Sequence, residues 1–301
     1  MGKFRIQPHG RLNDWVAAEK GYFDEAGLDF EFEAPPIDRN MLSEAELRES
    51  NTLRDITSGA YESYVEGGGR KGEGAGDVSC ACHWTVNQAA KIQDGVMWGK
   101  AYSVCEAAIV VPEESDICRP EDLAGKEVAV GYHSGSHYSA VQALEQFIPQ
   151  SAINLKFAGT TWSRVDAAIA RRVPAANVFG LQLYLLEQQG FRRVASTTFM
   201  MSFMFPRGVH ESDVEKYISA LLRAQTDIDF EPEKYKHYFL RETPTKYHSM
   251  IDVRRFGVGE RVVPQQYTRE IFEKTQAWMH SRNLFDVGPE VGVSFEQAVR
   301  Q

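Results

Sequence analysis

Glu121-Asp-Leu-Ala-Gly-Lys-Glu-Val-Ala-Val-Gly-Tyr-His-Ser-Gly-Ser-His-Tyr-Ser-Ala-Val-Gln-Ala-Leu-Glu-Gln-Phe147 is the stretch on which the reading of this 301-residue chain turns. After a glycine turn at Gly125, Val128 to Val130 form a short β-branched and small run. The Gly131 to Ser136 segment cannot continue a strand, and from Tyr138 apolar residues recur at helical spacing. The order is strand, polar turn, helix. A serine and glycine turn that opens a helix leaves backbone N–H groups free at the positive end of the helix dipole, so the turn is suited to an anion.

The rest of the chain repeats this α/β order. Lys3 to Gln7 alternates as a strand, Pro8 to Leu12 is its exit turn, and Asn13 is placed to cap a helix over 14–20 that Gly21 ends. Leu28 to Glu33 reads as a second strand and 34–39 as a turn. Residues 41–66 have helical character with a capping box at Ser43, and the glycine-dense 67–76 is either a lid or a surface insertion. Asp77 to Trp84 is a short strand and its exit, followed by a helix over 85–92. Tyr102 to Val111 reads as a buried strand, Asn154 to Phe157 as another, with helices at 163–172 and 181–189. Phe199 to Pro206 brings the chain back, and Ser212 is placed to cap a helix through Ile228.

Hydrophobic content of 43% and charged content of 25% fit an ordinary globular protein, and no apolar run is long enough to span a bilayer. A formal net charge of −9 argues against nucleic acid as a partner, since phosphate recognition needs clustered Lys and Arg. Cys80, Cys82, Cys105 and Cys118 show no disulfide framework. The start at Met1 leads straight into a strand with no apolar leader, so the sequence as written reads as cytoplasmic, or as periplasmic or extracellular if a leader has been removed.

Three passages carry a family resemblance: 122–145 within the opening stretch, Val16 to Glu33, and Val214 to Phe239. Together they are similar to the two-lobed (type II periplasmic) substrate-binding proteins of ABC importers. Within that group the chain resembles the branch of nitrate-, sulfonate- and thiamin-pyrimidine-binding proteins, which includes cytoplasmic enzyme relatives. The resemblance implies an α/β fold of two lobes, with two hinge crossings and a ligand cleft between them. The expected lobes are 1–111 plus 197–301, and 112–196. In open α/β sheets ligands sit beyond the carboxyl ends of strands, which gathers the turns at 8–12, 34–39, 80–84, 132–138, 159–162 and 179–182 around one cleft.

The expected ligand-binding residues are therefore His9, Gly10, Arg11, Leu12, Cys82, His83, Trp84, His133, Ser134, Gly135, Ser136, His137, Trp162 and Gln182. Arg11 is the expected counter-charge for an anion, with a surface ion pair as its alternative. His133 and His137 flank the Ser134-Gly135-Ser136 turn, and His137 falls in a first helical turn, which favours its neutral form. Trp84 and Trp162 are either flat platforms or core. Cys80, Cys82, His83 and His9 could form a tetrahedral set for a transition metal, although strand alternation sends Cys82 and His83 to opposite faces; buried packing cysteines are the alternative. No other cofactor is expected.

Two functions follow. The first is recognition of a small solute, anionic or a flat heterocycle, with an ABC permease as partner if the protein is exported and no membrane contact otherwise. The second is a cytoplasmic lyase or hydrolase on the same scaffold, with Cys82, His9 and His83 as catalytic residues: a decarboxylase, a desulfinase or an enzyme resembling thiamin-pyrimidine synthase. Desulfinase relatives use a cysteine, a histidine and an arginine, but here the first strand exits into His9 and Arg11 without a cysteine. The cysteine-rich motif of the pyrimidine synthases is not matched by Cys80-Ala-Cys82 either. A ligand sensor without catalysis is a third option.

Overall fold

The computed structural model describes residues 3–33, 76–284 and 291–301. The expected turn at 34–39, the helical stretch 41–66 and the glycine-dense 67–75 lie outside the described residues. In chain order the described elements begin with β1 (Phe4–Ile6), α1 (Asn13–Glu19), α2 (Tyr22–Glu25), β2 (Phe30–Phe32), β3 (Ser79–Cys82), α3 (His83–Lys91), β4 (Val96–Trp98) and β5 (Tyr102–Pro112). They continue with β6 (Glu127–Val130), α4 (Gly135–Leu144), β7 (Asn154–Phe157), α5 (Thr161–Ile169), β8 (Ala175–Phe179), α6 (Gly180–Gln188), β9 (Phe191–Phe205) and α7 (Glu211–Phe230). The last are α8 (Pro232–Tyr235), β10 (Arg261–Val263), α9 (Arg269–Ser281), α10 (Phe295–Ala298) and β11 (Val299–Arg300).

Two long strands organise the rest. β5 and β9 pair antiparallel from Ser103 opposite Met201 to Pro112 opposite Phe191, with a register shift between Ile109 and Val110. At one end of this ribbon β8 joins β5, and β6 and β7 continue the sheet in parallel. At the other end β3 and β4 pair with β9, and β10 pairs with β5. β1 and β2 form a separate parallel pair, tied to the β3 end of the sheet by a bridge from Ile6 to Val78. Both expected lobe boundaries fall inside these strands, 111/112 in β5 and 196/197 in β9. Any hinge motion must therefore bend a hydrogen-bonded ribbon, and the irregularity at Ile109 and Val110 is where such a ribbon yields most easily.

Parallel pairing fixes where functional groups appear. Val130 of β6 lies opposite Phe157 of β7, and Ala129 lies opposite Ala176 of β8, so all three strands exit on one edge, at Gly131, Ala158 and Gly180. Helices α4, α5 and α6 start just past those exits. Apolar packing on the sheet is split between Val128 and Val130 facing Ala140 and Leu144, and Ala129 and Ala176 facing Val165 and Leu185.

Two expected caps are not made. Leu12 precedes α1, and the Asn13 side chain turns inward to Leu221 O and Gln225 Oε1 instead. His210 precedes α7, which starts one residue before Ser212 and has no side-chain cap. The local cap signal is outweighed in the first case by burial: Asn13 is fully enclosed, and an enclosed amide takes whichever partners the core supplies.

Candidate functional site

The exit of β3 and the exit of β6 meet. Thr85, in the first turn of α3, donates its hydroxyl to His133 O at 2.7 Å, so the Cys82 thiol, 3.0 Å from the same hydroxyl oxygen, is the donor to it. The relay runs from Cys82 through Thr85 to the 131–138 turn. Gly135 is required at the seam: a Cβ there would come within 2.6 Å of Phe199 Cζ and 3.3 Å of Cys82 Cβ. Trp84 packs on Tyr138 at 5.4 Å and on Phe199 at 5.8 Å, so it is core at the seam and not an open platform.

The 131–138 turn is polar and buried, apart from the half-buried Tyr132. His133 holds a left-handed φ of 52°, unusual for a side chain with a Cβ. Its amide donates to His137 Nδ1 at 3.1 Å, and its own Nδ1 lies 3.1 Å from Tyr138 Oη. Burial, reinforced by His133, lowers the His137 pKa to about 3, so His137 is neutral. Ser136 Oγ accepts from Gly131 N at 2.9 Å and lies 2.8 Å from Ser134 Oγ. From beneath, Asn177 Nδ2 donates to Ser136 O at 2.6 Å and Ser139 Oγ at 2.8 Å, which ties the turn to β8.

The turn at 8–12 joins the same surface through Arg11, but Arg11 is already committed. It is 1% exposed, with Nε on Asp14 at 2.8 Å, Nη1 on Cys80 Sγ at 2.8 Å and Nη2 on Tyr217 Oη at 2.8 Å. Asp14 matches its charge, and Phe203 lies under it at 4.9 Å. The surface-pair alternative fails as well, because this pair is deep in the core. Gly10 N donates to Glu242, and Leu12 is fully buried. His9 is half-buried, and crowding by the surrounding protein with the Arg11 charge lowers its pKa to about 3.

Of the remaining expected residues, His83 turns away from Cys82 toward Tyr267 Oη at 3.0 Å, and burial lowers its pKa to about 3. Trp162 sits in the first turn of α5, stacked at 5.2 Å on Tyr247, and Gln182 is buried in the first turn of α6. Burial raises the Cys80 thiol to about 12 and the Cys82 thiol to about 11, so both keep their protons. Among the described residues no three of His, Cys, Asp and Glu are grouped to hold a metal ion, and the expected set of His9, Cys80, Cys82 and His83 is not assembled. Arg11 occupies Cys80 and Tyr267 faces His83. All four cysteines are free.

One residue here had no signal in the sequence. Arg164, in the first turn of α5, is 2% exposed and donates to Asn177 O and Gly159 O, both at 3.1 Å. A single arginine inside an amphipathic helix reads as a surface charge; only the closeness of β6, β7 and β8 shows that it is enclosed.

Compared with known proteins, the chain matches no family model and no curated protein. Solved structures do match. The alkanesulfonate-binding protein SsuA from Xanthomonas axonopodis pv. citri, bound to MOPS, aligns at TM-score 0.67 and 15% identity, over 100% of this chain and 98% of that one. A Candida albicans gene product described as having the generic periplasmic binding protein fold aligns at 0.64 and 12%, over 100% and 96%. The chain has the two-lobed periplasmic-binding-protein fold. The desulfurization enzyme DSZB shares it at 0.55 and 10%, over 96% and 95%. At these identities the two-lobed fold is what the comparison establishes, and the same scaffold serves a binding protein and an enzyme. Among the described residues no helix is long and apolar enough to cross a membrane.

Proposed function

We propose that this chain binds a small solute, an anion or a flat heterocycle, between lobe 1 (1–111 plus 197–301) and lobe 2 (112–196). The observation that carries this reading is the seam itself, where Cys82 and Thr85 on one side meet His133 to Tyr138 on the other. It is built of buried polar groups at strand ends, where ligands dock in open α/β sheets, and contacts on both sides are what reward closure. In this reading an exported form serves an ABC permease, with the closed shape as the signal.

The test is calorimetric titration with aliphatic sulfonates, MOPS among them, small carboxylates and flat heterocycles, after native mass spectrometry of protein purified from its own source. His137→Ala and Gly135→Val are each expected to weaken the bound solute by at least tenfold, about 1.4 kcal/mol. A solute that binds both variants as tightly as wild type would put the ligand elsewhere. The enzymatic reading rests on the position of the Cys82 thiol at the seam, and its raised pKa, which keeps the thiol protonated, opposes that reading. It requires a bound substrate to lower that pKa, and turnover that survives in Cys82→Ser would dispose of it.

A further inference from the structure

Resting on the reading above, the geometry points to Arg164 as the fixed positive contact of the cleft, which makes the ligand an anion and not a neutral heterocycle. An ionised side chain removed from water is tolerated where an opposite charge or a full set of hydrogen bonds replaces the solvent. Arg11 has that compensation in Asp14. Arg164 does not: among the described residues its guanidinium bonds only to the carbonyls of Gly159 and Asn177, and no carboxylate joins them. Asp166, the carboxylate on its own helix, is bonded to Lys246 at 2.7 Å and to Tyr247. Burial lowers the Arg164 pKa to about 9, which leaves it charged at neutral pH.

Its position is at the strand ends. A Cβ on Gly131 would stand 2.8 Å from Arg164 Nη1 and 3.1 Å from Ser134 Oγ, so the cation lies beside the turn that opens α4. The neighbouring histidine on that turn, His137, is neutral, so it adds hydrogen-bonding capacity and no second positive charge. Arg164 Cζ lies 5.9 Å from the Phe179 ring, Phe179 meets Phe199 edge-on at 5.6 Å, and Phe199 is the ring against Gly135. The same packing therefore joins the cation to the interlobe seam. A planar guanidinium with spare N–H groups suits an oxyanion such as a carboxylate, sulfonate or phosphate.

The alternative is a strut that only ties the ends of β7 and β8 together. The two are separated by pairing each anion with a neutral analogue: methanesulfonate with methanesulfonamide, acetate with acetamide, and inorganic phosphate, each titrated by calorimetry and thermal shift. Wild type is expected to bind at least one anion at least tenfold more tightly than its neutral partner. Arg164→Met should abolish that preference and keep its melting temperature in anion-free buffer within a few degrees of wild type. An Arg164→Met protein that retains the preference, or one that melts far lower while still responding to anions, identifies a strut and overturns the inference. Should the methionine variant not fold, Arg164→Lys decides: a retained preference with weakened affinity supports the cation, and unchanged affinity overturns it. A wild type that binds neutral heterocycles and no anion also overturns the role of Arg164, while leaving the solute-binding reading intact.

Discussion

Two arginines, one matched and one unmatched, show how residue identity acquires meaning from its neighbours. Arg11 and Asp14 form a buried pair extended by Tyr217, which bonds to both. Removing one member strands the other in a medium that cannot solvate it. Arg11→Met is expected to lose about 3–5 kcal/mol of stability in urea denaturation, and Arg11→Met with Asp14→Leu together should lose less than the sum of the single changes. The buried histidines make a second prediction at this scale. His83 titrates at 6.5 when free and at about 3 in the fold, so between those values the unfolded chain binds the extra proton. Stability is then flat above about pH 6.5 and falls as the pH drops toward 3. His83→Gln should lose less stability than wild type between pH 7 and pH 5, by about 2 kcal/mol, read from urea midpoints at the two pH values.

Elements are placed by contacts that individual side chains enforce. α5 begins at a capped Thr160, whose Oγ1 accepts from Ser163 N at 3.4 Å, and this turn carries Arg164 inward. Thr160→Ala is expected to lose about 1 kcal/mol of stability. α4 begins at the seam, where Gly135 admits the Phe199 ring. Gly135→Ala should overpack this contact at a loss of about 1–3 kcal/mol, and adding Phe199→Leu should restore part of it, since the smaller side chain vacates the space that the new methyl needs. A Gly135→Ala protein as stable as wild type would show that the ring gives way freely.

At the scale of the molecule, side-chain ties join the two expected lobes in addition to the ribbon of β5 and β9. Glu145, just past α4, accepts from Trp278 at 3.1 Å and Arg282 at 2.8 Å in and after α9. Asp166 on α5 meets Lys246 and Tyr247, with Trp162 stacked on Tyr247. The partly exposed ion pairs Glu145–Arg282 and Asp166–Lys246 are each worth under about 1 kcal/mol, too little to hold the fold but enough to bias a hinge whose two positions differ by a few kcal/mol. Glu145→Gln combined with Asp166→Asn should leave the melting temperature nearly unchanged and raise the radius of gyration of the ligand-free protein in small-angle scattering. An unchanged radius would mean that these two ties do not set the angle between the lobes, which the ribbon and the seam then hold.

The strand, turn and helix of 121–147 and the strand Asn154–Phe157 were legible in order, because alternation, glycine turns and helical spacing are local properties of the chain. So was the polar character of the 131–138 turn. The roles of the charges were not. Arg11 meets Cys80 and Tyr217 across 69 and 206 residues, and no local pattern records such a meeting. Nor did the sequence mark β4, β10 and β11, whose two or three residues are strands only because longer neighbours supply their hydrogen bonds. The sequence by itself determined which segments could be strands, turns and helices. Tertiary structure alone decided which buried cation found a counter-charge, because desolvation and Coulomb energy depend on distance through space and not on separation along the chain.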